Sequence, residues 1–324
     1  MVVNLGIIGY RKHAEVLRNL LEKKTDCTVS TIFHPDKKLD IPKFTNTFSD
    51  LFSNDAIIIA SPNHTHFDYM KKLFSEFTGY VFCEKPPVTN LLELEELKTL
   101  SNEKKQKLFF NFNFRFSHLN HYLTKYSNSK ELGKLFYINI ISNHGLAFKP
   151  EYITSWRSDG KNNLHNILNT VSIHFLDLIN LCFSEPDFIH YFPNNISGNG
   201  TAFDTCTLIL KYNSGLTVSI LNSYSSSLQN DLQMIGTNGF LKFQDQNLNV
   251  FSPRDTFDSM NRFTYPPLIH KELFNFQKDY RESLVTAMDY FISKVKSNDK
   301  IDLKYFDSSI VSNQQILNLE KNQN

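Results

Sequence analysis

Short apolar runs alternate with amphipathic stretches over the first third of the chain. VVNLGII (2–8) is continuous and β-branched, and Leu17, Leu20 and Leu21 then mark one face of a helix. TVSTIF (28–33) predicts a second strand, and AIIIA (56–60) predicts a third, followed by a helix carrying Phe67, Met70, Leu73, Phe74 and Phe77. YVFC (80–83) and LFFNFNF (108–114) predict two more strands. Between them, Asn90 and Glu93 have the spacing of a capping box that opens a helix running to about residue 105. Strands apolar on both faces, separated by helices, predict a parallel sheet covered on both sides with right-handed crossovers.

After about residue 118 the pattern changes. LHNILNTVSIHFLDLINLCF (164–183) predicts one long helix, with Leu164, Ile167, Leu168, Val171, Phe175 and Leu178 on its apolar face. Strands follow in series over 204–212, 216–223, 231–236, 240–243 and 247–251, with Asn213-Ser214-Gly215 and Asn238-Gly239 at turns. That spacing predicts antiparallel hairpins. Helical pattern returns from about 271 to 296 and again near 305–318. The fold class is therefore α/β. A doubly wound, Rossmann-type parallel sheet over 1–118 precedes an α+β domain over 119–324, which has an open, mainly antiparallel sheet and terminal helices free to pack back on the first domain.

Composition narrows the function classes. The 324 residues suit two domains, and 29 Phe and 14 Tyr suffice to fill two cores. A formal charge of +1 lacks the basic excess of a nucleic-acid-binding protein. The start, MVVNLGIIGY, reads as neither signal peptide nor anchor, and no apolar stretch approaches the ~18 residues of a membrane span. Cys27, Cys83, Cys182 and Cys206 lie far apart without CxxC pairing, so neither a disulfide framework nor a metal site is expected. These features predict a cytoplasmic protein with no membrane or nucleic-acid partner.

In open parallel sheets, ligands bind beyond the carboxyl ends of the strands. GYRKHA (9–14), SPNHTH (61–66) and CEKPP (83–87) all fall there. Candidate cofactor contacts are thus Gly9, Tyr10, Arg11 and Lys12, then Ser61, Pro62, Asn63 and His66, then Glu84 and Lys85. Lys85 precedes a proline and is biased to extended geometry, with its bond to Pro86 open to the cis form. A dinucleotide fingerprint starting at Gly9 has Arg11 in its second position and Ala14 in its third. Arg11 therefore puts a side chain where glycine lets backbone approach a pyrophosphate, and its guanidinium suits phosphates or adenine instead. Taken alone, this turn is equally consistent with a tight strand–helix connection. The second strand ends in FHPD, so His34 replaces the ribose-binding acid, and with Arg11 nearby this tilts toward tolerance of NADP.

Together, the strand–GxxG turn–helix, ASPNHTH, CEKP, NFRF and IHFLD resemble the glucose–fructose oxidoreductase / inositol dehydrogenase / rhizopine-catabolism superfamily. The resemblance spans nearly the whole chain, with LGKL (132–135) and IGTNGFLKF (235–243) in the expected order. It implies an NAD(P)-dependent oxidoreductase that moves a hydride to or from a sugar, sugar nucleotide or cyclitol, with the nicotinamide at the junction of the domains. It places the catalytic lysine on Lys85, where an ammonium group stabilises developing alkoxide charge. Asn63 and His64 then line the nicotinamide side, and Arg115 stands at the domain crossover as a cofactor contact or a structural ion pair. Trp156 and Arg157 precede the long helix in the expected place and either border the substrate pocket or close the sheet.

The family's histidine falls on His174, able to take a hydroxyl proton near neutral pH. The acid usually four residues earlier is Thr170, and the glycine usually two before the histidine is Ser172. Threonine can orient an imidazole but cannot supply the charge that raises its basicity. Asn166, Thr170, His174 and Asp177 are spaced to share one helix edge, with Asp177 read as structural and His165 and Asp159 as nearby substitutes. Two alternatives keep the fold: an NAD-dependent glycosidase, and a non-catalytic regulator like the family's co-repressor of galactose genes, to which Arg11 and Thr170 point. The resemblance also implies a homodimer or homotetramer formed through the open sheet, where TCTLILKY and TVSILNSY alternate.

Overall fold

The computed structural model describes residues 2–37, 40–244 and 246–322. The chain divides into one unit comprising Met1–Asn113 and Leu284–Leu317 and a second comprising Phe114–Ser283 and Asn318–Asn324. The apolar runs of the first unit form β1 (Val3–Ile8), β2 (Cys27–Phe33), β3 (Phe44–Thr45), β4 (Ala56–Ile59), β5 (Tyr80–Cys83) and β6 (Leu108–Phe110). Helices α1 (Lys12–Leu21), α2 (His66–Glu76), α3 (Leu91–Lys98) and α4 (Asn102–Lys105) alternate with them. All pairs are parallel in the order β3-β2-β1-β4-β5-β6, and every residue of β4 and β5 is buried. Strand order reverses between β1 and β4, which puts the ligand crevice beyond their carboxyl ends.

The ladder continues one residue past each strand. Gly9 N donates to Phe33 O (3.0 Å), Ala60 N to Ile8 O (3.0 Å), Glu84 N to Ile59 O (3.0 Å) and Asn111 N to Cys83 O (2.9 Å). Four residues therefore leave the sheet in one row. β6 stops short of the expected strand because Phe112 N turns back to Phe110 O (2.8 Å) and residues 113–116 form a 3₁₀ turn. Asn90 Oδ1 accepts from Glu93 N (2.9 Å) and caps α3 as its spacing predicts, while Glu93 reaches Thr89 N (3.0 Å) rather than the cap residue. The helix expected to run on to residue 105 breaks, and Ser101 caps the separate α4.

The second unit contains α5 (His118–Ser127), β7 (Leu135–Asn143), α6 (Gly160–Asn163), α7 (Ile173–Phe183) and strands β8 (Phe188–Asn194), β9 (Thr205–Lys211) and β10 (Thr217–Ser223). It continues with β11 (Gln229–Gly236), β12 (Phe240–Gln244), β13 (Asn247–Phe251) and β14 (Leu268–Leu273). These eight strands form one sheet, ordered β14-β13-β12-β11-β7-β10-β9-β8, antiparallel throughout except for the parallel pair β7–β10. β8 and β14 lie at its edges, and Phe188, Phe192, Leu268 and Leu273 on them are exposed, so pairing rather than an alternating apolar face makes them strands. Neither was legible in the hydropathy pattern.

The long helix expected over 164–183 is not uniform either. Leu168–Ser172 is a π-helical turn, and regular α7 begins only at Ile173. The wider turn breaks the four-residue spacing that would have put Asn166, Thr170 and His174 on one straight edge.

The last two helices are α8 (Phe276–Ser297) and α9 (Leu303–Lys321). Phe276 starts α8 later than the pattern predicts because 268–273 pair with β13. Phe291 of α8 packs against Phe82 (5.3 Å between ring centroids) and Phe109 (6.2 Å), and Asn313 Oδ1 of α9 accepts from Val88 N (2.9 Å). Among the described residues, no helix is long and apolar enough to cross a membrane.

At the end of α9, Glu320 accepts a hydrogen bond from Asn169 in the π turn (2.6 Å). Burial lifts its carboxyl from 4.5 to about 7, against the opposing effect of Asn169. A folded-state pKa above the unfolded one means the charge costs nothing below pH 4.5, and the cost grows until pH passes about 7. Glu320→Gln should therefore raise unfolding free energy at pH 8 by roughly 1–2 kcal/mol and leave it nearly unchanged at pH 4.5. Urea unfolding at the two pH values checks this, and an equal change at both would refute it.

Candidate functional site

The row of residues leaving the first sheet carries its chemistry. Gly9 has φ +90°, and a Cβ there would lie 2.9 Å from Ser61 Cα and 3.1 Å from Ala60 O, so only glycine lets the first turn lie this close to the β4 turn. Arg11 is the extended N-cap residue of α1, and no side chain caps that helix. Its first N–H groups and the exposed Arg11 guanidinium suit an anion such as a pyrophosphate.

Glu84 is the centre of this edge. It is 7% exposed, and its Oε1 accepts from Asn111 Nδ2 (2.8 Å) and from His13 Nε2 (2.9 Å). A carboxylate only accepts, so His13 must donate through Nε2. Burial pushes the Glu84 carboxyl up, but His13, Asn111 and Lys85 outweigh it and hold the pKa below its ordinary value. Asn111 is itself buried, and its Oδ1 has no hydrogen-bond partner among the described residues.

Lys85 follows, half-buried, with a cis bond to Pro86. Pro86 O is hydrogen-bonded to His66 Nδ1 (2.8 Å), and His66 Nε2 lies 3.0 Å from Ser61 O. His66 is wholly buried, so the cofactor contact expected of it is corrected: the ring ties the β4 turn to the Lys85–Pro86 loop. Ser61, Pro62 and Asn63 stay half-exposed in that turn, with Thr65 Oγ1 within 2.7 Å of Ser61 Oγ, and His64 is exposed. Tyr10 receives a hydrogen bond from Arg18 (2.9 Å), and Lys12 is exposed.

His34, at the end of β2, accepts through Nδ1 from Asp36 N (3.2 Å) and Lys37 N (3.1 Å), which leaves its proton on Nε2. Burial lowers its pKa, as do Lys37 and Arg11, against Asp36, so Arg11 and Lys37 both lie within electrostatic reach of this strand end.

In the second unit, Arg115 forks onto Asp177 (2.8 and 2.6 Å), both side chains only 2% exposed. That pair is internal to this unit and fits the ion-pair alternative given for Arg115. His174 is buried, its ring against Phe114 (5.2 Å between centroids). His165 is buried between Tyr191 and Phe203, with Tyr191 hydroxyl 3.0 Å from Nδ1, and belongs to the core. Asp159 caps α6, accepting from Lys161 N (3.0 Å).

Thr170 gives its single hydroxyl proton to Asn166 O (2.6 Å), so the Tyr224 hydroxyl, also 2.6 Å away, donates to it. Arg157 lies within electrostatic reach of the same buried phenol and stacks over Trp156 (4.5 Å), and His144 stacks on Tyr224 (5.0 Å). Burial pushes the Tyr224 phenol up, while Arg157 and Thr170 oppose it. His13, Asn111, Tyr224 and His144 were not singled out in the sequence, although Asn111 interrupts an apolar run and Tyr224 ends one, as Glu84 does.

Residues 3–112 match an oxidoreductase family model described as an NAD-binding Rossmann fold, and residues 121–242 match the GFO/IDH/MocA C-terminal domain. The chain is 24% identical over 314 residues to a myo-inositol 2-dehydrogenase of Thermotoga maritima, covering 92% of this chain and 88% of that protein. Its fold is similar to an oxidoreductase of Thermotoga maritima (TM-score 0.78, 17% identity, 98% and 96% of the two chains). It is likewise similar to a myo-inositol 2-dehydrogenase of Lactobacillus plantarum (TM-score 0.74, 18% identity, 99% and 98%).

Asn111→Leu removes one of the two donors that hold Glu84. It should cost about 1–3 kcal/mol at pH 7. Because the Glu84 pKa is depressed, its share of stability is present above the ordinary carboxylate range and is lost as pH falls through its folded value. The difference between wild type and variant in urea unfolding should thus shrink below about pH 4. A difference independent of pH would contradict the ionised cradle.

Proposed function

The chain belongs to the GFO/IDH/MocA oxidoreductase family, and from that premise we propose that it transfers a hydride between NAD(P) and an alcohol carbon of a carbohydrate-like polyol. The observation that carries this reading is Lys85, held on the ligand edge of a nucleotide-binding sheet between the paired carboxylate of Glu84 and the buried strut of His66. The residues fit a dinucleotide. Gly9 supplies the close turn, and the uncapped α1 and Arg11 supply anion donors. At the end of β2, His34 with Arg11 and Lys37 replaces the acid that would select a ribose hydroxyl, which favours acceptance of a 2′-phosphate.

When bound, the nicotinamide supplies the two-electron chemistry. Lys85 then donates to the reacting oxygen and stabilises its developing negative charge. His174 takes the hydroxyl proton, and with threonine at 170 no carboxylate raises its basicity. The relative from Thermotoga maritima is a myo-inositol 2-dehydrogenase, which supports a polyol as substrate. Exposed Phe136, Phe188 and Phe192 on the eight-stranded sheet support self-association through that sheet.

Lys85→Met is expected to lower turnover of an accepted polyol by at least about 10²-fold while the Kd for NADH or NADPH changes less than about threefold. Steady-state kinetics and nicotinamide fluorescence measure the two quantities. Full activity in the variant would contradict the role given to Lys85.

A further inference from the structure

We infer that the substrate bound by the second unit carries a carboxylate and that Arg157 receives it; this rests on the oxidoreductase reading above and names its substrate class as a sugar acid rather than a neutral polyol. The two arginines of this unit described above differ in one respect. Arg115 spends its fork on buried Asp177, whereas no described carboxylate lies within ion-pairing distance of Arg157. Arg157 is nonetheless half-buried, stacked on Trp156 and within electrostatic reach of the Tyr224 phenol. A guanidinium has five N–H donors in a planar fork, and stacking on an indole face leaves that fork open. The fork matches a carboxylate in geometry and charge.

The surroundings point the same way. Asn166 is fully buried beside Thr170, and its Nδ2 is a second donor without a partner. Acids of adjoining segments are already engaged: Asp204 accepts from Ile196 N and Ser197 N (2.9 Å each), and Asp159 from Lys161 N (3.0 Å). His144 on the Tyr224 ring is driven toward its neutral form by burial first, then by Arg157 and Lys149. One fixed guanidinium thus balances one negative charge, which fits a carboxylate better than a phosphate monoester carrying nearly two.

This also explains Thr170. It is hydrogen-bonded to Tyr224, whose phenol feels the Arg157 charge, so an acid at 170 would both offset the guanidinium and repel an anionic substrate. A threonine keeps the hydrogen-bond chain and removes the charge.

Trp156 is the single tryptophan of the chain, so its emission reports on Arg157 directly. The test titrates the full chain, with and without NAD+, against sodium D-gluconate and D-galacturonate, their neutral counterparts D-glucitol and D-galactose, and D-glucose 6-phosphate. At least one acid should bind saturably and at least about tenfold tighter than its neutral counterpart. The preference should fall to about twofold or less in Arg157→Gln and survive in part in Arg157→Lys. Thr170→Asp should weaken acids about tenfold more than it weakens their neutral counterparts, which keeps the test valid should Arg157→Gln unfold. Equal affinity for acid and neutral forms, no response to either acid, or tighter binding of glucose 6-phosphate than of gluconate would overturn the proposal. Failure of the redox reading shows differently, as gluconate binding that depends on Arg157 in a chain that binds neither coenzyme.

Discussion

A carboxylate buried at the end of a parallel strand must be paired, and the pairing of Glu84 organises everything around it. Its partners come from two other connections, His13 from the helix after β1 and Asn111 from the end of β6. Three strand ends are thereby tied at one point. An unpaired charge at that depth would cost several kcal/mol or be neutralised by a raised pKa. With both donors present the charge is retained, and the next residue in the chain, Lys85, leaves the sheet in a direction set by Glu84 on one side and the His66–Pro86 hydrogen bond on the other. An ammonium group in that position is useful only next to something bound across the strand ends, which is where an open parallel sheet takes its ligand.

The second unit is built on a different device. Its helix widens to a π turn at Leu168–Ser172 just before His174, and the buried Arg115–Asp177 pair anchors the regular turns that follow. The π turn brings Thr170 to Tyr224 and leaves His174 against Phe114. Charge is managed by omission here: the position that would carry an acid is a hydroxyl, and no described carboxylate pairs with the nearby cation at 157.

Much of this was legible in the residues alone. Near-continuous β-branched runs separated by helical patterns can bury both faces only in a parallel sheet, so the first unit and its ligand edge followed from hydropathy. The β9–β10 and β11–β12 hairpins followed from their turn residues. Edge strands β8 and β14 did not, because their stability lies in backbone pairing and not in side-chain alternation. The π turn was illegible because no residue type demands it. The roles of His66 and Arg115 were not legible for a shared reason: a polar residue near a ligand edge looks the same in sequence whether it faces the ligand or braces the loop that does. Burial separates the two, and burial is a property of packing.

The direct measurement is titration of the intact chain with NADH and with NADPH, followed by nicotinamide emission. Saturable enhancement with one coenzyme per chain, for at least one of the two, is expected from the Glu84-centred edge. No binding of either at millimolar concentration would contradict it.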